Sequence, residues 1–147
     1  MTVAVPWGPA ADGHDRPYWD GLSTGELMLQ RCRTCDTWIW GPQVICATCH
    51  GFDLAWEQVD PVGIVFSWTR SWYPYIEELG DKIPYISVLV ELPHAGGRRL
   101  LGLFVDDGED TPRIGEPVVG FFEQPEGEPW TLLRWHRPVA EHEGKLG

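Results

Sequence analysis

Cysteine is confined to one window of this chain: all four lie between residues 32 and 49, and none stands elsewhere. If those four bind a metal, no thiol is left for nucleophilic or redox chemistry. Basic residues are also scarce, with 11 Lys and Arg against 22 Asp and Glu and a net charge of −11. Affinity for nucleic acid rests largely on neutralising phosphates with Lys and Arg, so a broad polyanion-binding surface is excluded. Eight of the acids fall between residues 106 and 128, against the single base Arg113.

Long apolar runs are missing too. The longest, such as "VGIVFSW" and "ISVLVEL", fall far short of the roughly 18 residues a membrane helix needs. No basic segment precedes an apolar run in "MTVAVPWGPAADGHD", so no secretory leader is expected. The expectation is a soluble cytoplasmic protein that does not touch membrane. There is no G-x-S-x-G, H-E-x-x-H, phosphate-binding G-x-x-x-x-G-K or dinucleotide fingerprint.

Aromatics and turn formers, by contrast, are plentiful. Nine Trp and 43% hydrophobic residues argue for a packed core, and 17 Gly with 13 Pro argue for many turns between short strands. At 147 residues one such core fits. The fold class predicted is mainly β.

Residues 1–15 lack periodicity and read as a flexible arm, with Pro6, Gly8, Pro9 and Gly13. In "RPYWDGLSTGEL", Pro17 suits a first helical turn and Tyr18, Trp19 and Leu22 recur near helical spacing, so a short helix is predicted, ended by Gly25. This helix and a first strand occupy 16–30, and 31–53 holds the cysteines. Residues 54–138 contain "LAWEQV", "GIVFSWTRSW", "YISVLVEL", "RRLLGLFV", "PVVGFFE" and "WTLLRWHRP", six strand-like segments, before a tail at 139–147. The Gly-Gly of "ELPHAGGRRL" suits a hairpin turn. So many strands in so short a chain must curl to hide their edges, which predicts a five-stranded OB-type barrel.

The cysteine spacing is C-x2-C-x10-C-x2-C: Cys32, Cys35, Cys46 and Cys49. Two such pairs form the facing knuckles of a zinc ribbon around one tetrahedral metal. Four thiolates close the coordination sphere, so the zinc is structural and its binding energy is folding energy. The same ligand set can hold iron. The residue after each pair turns left-handed in such knuckles; here these are Asp36 and His50, non-glycine types tolerated there, and both are predicted at positive φ.

Of the five histidines, His14 and His142 fall in the ends, His94 in a hairpin turn and His50 in a knuckle. His136, beside Trp135, is the one candidate for a shared cleft, and an edge-strand packing role explains it better. No catalytic residue is assigned. Core packing explains about half of the aromatics Trp38, Trp40, Trp56, Trp68, Trp72, Tyr73, Tyr75 and Tyr85; the remainder exceeds what a small monomer buries, and "SWYPYIEELGDKIPY" reads as an aromatic loop that contacts a partner.

The order of "YWDGL", "GELMLQRCRTC", "GPQVICATCHG", "GIVFSWT", "PYISVLVEL", "LLGLFV" and "RIGEPVVGFFE" resembles the domain of unknown function thirty-five (DUF35) family, a rubredoxin-like zinc ribbon joined to an OB-fold. The resemblance spans residues 16–138, and Asp36, His50 and the N-terminal arm depart from it. It implies a noncatalytic subunit in a hetero-oligomer with a thiolase-like enzyme. In archaea such subunits lie between a thiolase and a hydroxymethylglutaryl-CoA synthase; in bacteria they accompany lipid-transfer-type thiolases that act as aldolases on steroid side-chain CoA esters. It also implies acyl-CoA at a site shared with the partner. Candidate interface or acyl-CoA-binding residues are Trp38, Trp40, Arg70, Trp72, Tyr73, Tyr75 and Tyr85, and the bases nearest suitable elements are Arg31, Arg33, Arg70, Arg98 and Arg99. The rival reading is a module binding single-stranded nucleic acid, since ribbons and OB-folds both occur there and aromatics stack on bases; the charge opposes it.

Overall fold

The computed structural model describes residues 9–106 and 111–139. The first part of the expected arm, part of the acidic loop, and all of the expected tail after Val139, with His142, lie outside the described residues.

Helix α1 (Arg16–Ser23) begins with Pro17 in its first turn and stops at Thr24, after which Gly25 turns left-handed at φ 78°. Asp15 precedes it but caps nothing with its side chain; its carboxylate accepts the Trp19 indole N–H at 2.8 Å. The helix lies against strand β1 (Leu27–Cys32), which it can approach closely because a Cβ on Gly21 would stand 2.6 Å from Met28 Cγ.

Strand β1 is the centre of a three-stranded antiparallel sheet, flanked by β2 (Trp38–Ile39) and β3 (Leu54–Val59). The segment "LAWEQV", expected among the barrel strands, is this β3: it pairs with β1 along its whole length, from Leu27 opposite Val59 to Cys32 opposite Leu54. The physical reason lies in β1, which β2 covers for only two residues on its other edge. Without β3 that central strand would leave its backbone groups unpaired.

The remaining strands are β4 (Val62–Ser71), β5 (Tyr85–Leu92), β6 (Arg98–Phe104), β7 (Pro117–Glu123) and β8 (Leu132–His136). They close into a barrel in the order β4-β5-β6-β8-β7, with β4 pairing back onto β7 and β6 running parallel to β8. This is the predicted OB-type barrel. A bulge between Val65 and Ser67 leaves Phe66 out of register with β5. The β5–β6 hairpin turns through Gly96 and Gly97, at φ 65° and 67°, after a 3-10 turn at Pro93–Ala95.

One core joins the two sheets. Leu22 of α1, Leu27 and Leu29 of β1 and Val59 of β3 are buried with Val65, Val88, Val90, Leu100, Val118 and Trp135 of the barrel. Trp38 and Trp40, half-buried, pack on the same core, and Trp38 lies where a Cβ on Gly96 would meet it at 3.1 Å. Tyr18 stacks edge-on to Trp40 at 4.8 Å, and burial, with Asp15 adding to it, raises its phenol pKa well above the ordinary value.

Candidate metal centre

The ribbon's own core is small: Cys32, Ile39 and Cys46 are buried, with Cys35 and Leu54 against them. Its two knuckles repeat each other bond for bond. The Asp36 N–H donates to Cys32 O and the Cys32 N–H to Thr37 O; the His50 N–H donates to Cys46 O and the Cys46 N–H to Gly51 O, all four at 2.9 Å. Asp36 and His50 both stand at φ 62°, as the spacing predicted. The loop between the knuckles is held by a side chain that imitates a strand. Gln30, only 6% exposed, donates to Gln43 O at 2.8 Å and accepts the Gln43 N–H at 2.9 Å.

This framework brings the Sγ atoms of Cys32, Cys35, Cys46 and Cys49 within 4.8 Å of one another, with Cys32–Cys49 and Cys35–Cys46 at 3.6 Å. A tetrahedral zinc with bonds of about 2.3 Å places its sulfurs about 3.8 Å apart, so the donor set fits the ion. None of the four is in a disulfide.

Electrostatics point the same way. Hydrogen bonds from Thr37 lower the Cys35 thiol to about 6. The backbone N–H of Cys49 heads the causes that lower Cys46. At Cys49 the Gly51 N–H pulls down as well, but desolvation and the sulfurs of Cys32, Cys35 and Cys46 outweigh it and push the thiol up to about 12. Four thiolates this close ionise together only with a cation among them. Once bound, that cation has no open coordination position, so the centre is structural.

The other candidate residues fall into two groups. Trp38, Trp40 and Tyr85 are half-buried, the first two inside the ribbon–barrel junction. Trp72, Tyr73 and Tyr75 project from the loop between β4 and β5, exposed at 67%, 66% and 74%. Buried Leu79 and a 3-10 turn at Glu77–Leu79 anchor that loop, the Tyr73 and Tyr75 rings touch edge-on at 5.3 Å, and the Arg70 guanidinium lies 5.7 Å from the Trp72 ring. Of the five candidate bases, Arg31 is paired with Glu57 and stacked on Trp38, and Arg99 is paired with Glu91 and stacked on Phe66. Among the described residues Arg33, Arg70 and Arg98 have no carboxylate partner.

His136 lines an open groove of about 770 Å³ with Phe121, Arg137 and Asp106. Its Nδ1 contacts the Arg137 carbonyl, and Arg137 is itself held by Asp106 at 2.7 Å and Glu116 at 2.8 Å. Among the described residues no nucleophile or carboxylate engages the imidazole. Sequence reading did not find the Gln30 clamp, the Phe66 bulge or the exposed Leu101; the clamp depends on a contact thirteen residues away that no local pattern signals. Among the described residues no helix is long and apolar enough to cross a membrane.

A closed four-cysteine ribbon sharing its core with a five-stranded barrel defines the class: a rubredoxin-like zinc-ribbon protein with an OB barrel. Residues 19–55 match the family model "ChsH2, rubredoxin-like zinc ribbon domain". The chain resembles a solved structure described as "Ltp2-ChsH2(DUF35) aldolase", at 28% identity and a TM-score of 0.78, over 90% of this chain and 100% of that one. A DUF35 protein of unknown function from Sulfolobus solfataricus shares the fold, at 17% identity and a TM-score of 0.58, over 86% of this chain and 87% of that one. The "Probable enoyl-CoA hydratase alpha subunit" of Thermomonospora curvata is 31% identical over 136 residues, 90% of this chain; the chain spans 40% of that protein's length. Residues 19–55 thus carry a ChsH2-type rubredoxin-like zinc ribbon, and the chain as a whole is similar to DUF35 proteins of solved structure.

Proposed function

We propose that this chain is a noncatalytic accessory subunit of a thiolase-fold enzyme that makes or breaks a carbon–carbon bond on an acyl-CoA thioester, with steroid side-chain CoA esters as the substrate class. The observation that carries the reading is the likeness to the Ltp2-ChsH2 aldolase structure across the whole of that chain. The similarity to a protein named as an enoyl-CoA hydratase subunit adds a second link to CoA thioesters. Four free thiols suit a metal site in the reducing cytoplasm.

The geometry supports a protein partner over a nucleic acid. OB-folds contact ligands through the face of their second and third strands and the loop between the first and second, here β5, β6 and residues 72–84. On that face Ser87 stands opposite Leu103, Leu89 opposite Leu101 and Glu91 opposite Arg99. Leu101 is 74% exposed, and the one arginine is already neutralised by Glu91 at 3.1 Å. Apolar side chains beside three exposed aromatics suit a protein interface and offer little to phosphates. In this reading Trp72, Tyr73 and Tyr75 insert into the partner, and Arg70 borders the shared acyl-CoA site.

The test is purification of the tagged, zinc-loaded protein from its own cells under a stringent salt wash, with mass spectrometry of what stays bound. A thiolase-like protein in near-equal amount, active on acyl-CoA substrates only as the complex, is the expected result. Recovery of nucleic acid alone, or turnover by the isolated chain, overturns it.

A further inference from the structure

In a chain with twice as many acids as bases, an arginine without a carboxylate needs a reason. In the barrel, Arg99 pairs with Glu91, Arg113 with Glu116, Arg134 with Glu123, and Arg137 with both Asp106 and Glu116. Among the described residues Arg70 and Arg98 pair with no carboxylate; Arg70 lies 5.7 Å from the Trp72 ring, whereas Arg98 Nε is buried without a hydrogen-bond partner. Residues 98, 100, 102 and 104 share the inward-facing side of β6, with Leu100 and Phe104 in the core. Arg98 is therefore the inward-facing residue at the end of that strand, where the barrel meets the ribbon.

There it forms one wall of a cleft of about 70 Å³, whose other walls include Thr37, Trp38, Trp40, Gln43 and Thr48 of the ribbon. The space exceeds the roughly 30 Å³ that one water occupies. None of these side chains carries charge, so the half-buried guanidinium faces indoles, hydroxyls and an amide. A charge withdrawn from water without a counter-ion is costly, and a buried donor left unmade costs more than a typical hydrogen bond contributes.

We infer that this cleft is a binding site for a carboxylate, held by the Arg98 guanidinium with the ribbon hydroxyls beside it. The guanidinium fork matches the two oxygens of a carboxylate, a geometry that a halide cannot use. Size and charge argue against a phosphate: a single base would face a dianion in a protein of net charge −11. A free small acid and an Asp or Glu side chain of a partner present the same group.

The experiment is an NMR titration of the full zinc-loaded chain, labelled with nitrogen-15, with sodium acetate against sodium chloride at equal ionic strength. Acetate is expected to give saturable shifts of the Arg98 Nε–H and of the Trp38 and Trp40 indole N–H signals, and chloride none. Arg98→Gln should weaken acetate binding by at least about tenfold, the scale of one charge-assisted hydrogen bond. Arg98→Lys, which keeps the charge and loses the fork, should weaken it by a smaller factor and serves if the Gln variant does not fold. The α-amide of N-acetyl-aspartic acid distinguishes the sources: binding comparable to acetate assigns the site to a partner's side chain, and exclusion of the amide assigns it to a free acid. Absence of saturable shifts with either carboxylate, equal shifts with chloride, or unchanged acetate affinity in the variants overturns the proposal.

Discussion

The ribbon and the barrel solve the same stability problem by different means. The barrel, with α1 and parts of β1 and β3, buries fourteen residues from Leu22 to Trp135 in one apolar core, whereas the ribbon's separate core holds three, two of them metal ligands. At about 25 cal/mol per Å² of apolar surface, a cluster of that size cannot offset the entropy of ordering two knuckles and the loop between them. The difference teaches that area holds one half of the molecule and a coordination bond the other. The pKa pattern agrees, since the sulfurs oppose one another until a cation arrives.

The largest expected effect breaks the ribbon side. Replacing Cys46 with Ser removes a ligand from a site whose binding energy is on the order of 10–16 kcal/mol in small zinc modules. Metal content should fall to nearly zero and backbone signals of residues 32–52 should lose dispersion, while barrel signals persist. A barrel that melts with the ribbon would show that the two halves do not divide the work this way.

Next in size is the converse experiment. Trp135→Ala removes the largest fully buried side chain and should cost about 3–5 kcal/mol, read as a lower thermal midpoint, with zinc stoichiometry unchanged. The junction lies between these two: Gly96→Val forces a branched residue to φ 65° and into Trp38. A loss of about 2 kcal/mol is expected, with both cores weakened together in hydrogen exchange.

The smallest effect sharpens the electrostatic side. Hydrogen bonds from Thr37, of which Thr37→Val deletes the hydroxyl's, hold the Cys35 pKa down to about 6. Without the hydroxyl that pKa rises, protons compete for the sulfur at a higher pH, and metal release on acidification should begin a few tenths of a pH unit earlier. A cobalt-substituted protein followed by its thiolate charge-transfer band gives the midpoint, and an unchanged midpoint would remove Thr37 from the site.

Much of this was legible in the sequence because the relevant signals are local. Two C-x-x-C pairs fix the ligands, residue type at Asp36 and His50 is compatible with positive φ, and Gly96 and Gly97 mark the hairpin that the structure contains. The role of β3 was not legible: "LAWEQV" alternates like any barrel strand, and what assigns it to β1 is an unpaired edge more than twenty residues back in the chain. Trp38 and Trp40 illustrate a further limit. Composition places about half of the aromatics in the core without saying which: Trp38 and Trp40 pack on it, whereas Trp72 and Tyr75 stand exposed. The unpaired state of Arg98 depends on which acids fold near it, which no spacing encodes.

Strand β1 ties the two regimes to one ruler. Leu27 and Leu29 sit in the barrel's core, and Cys32, at the other end of the same six residues, ligates the metal. Because side chains alternate faces along a strand, a slip of one residue would turn the leucines outward and swing the sulfur away from its three companions. Metal geometry and strand register therefore depend on one another: the alignment of β1 that buries the two leucines is the one that brings the Cys32 sulfur to its companions.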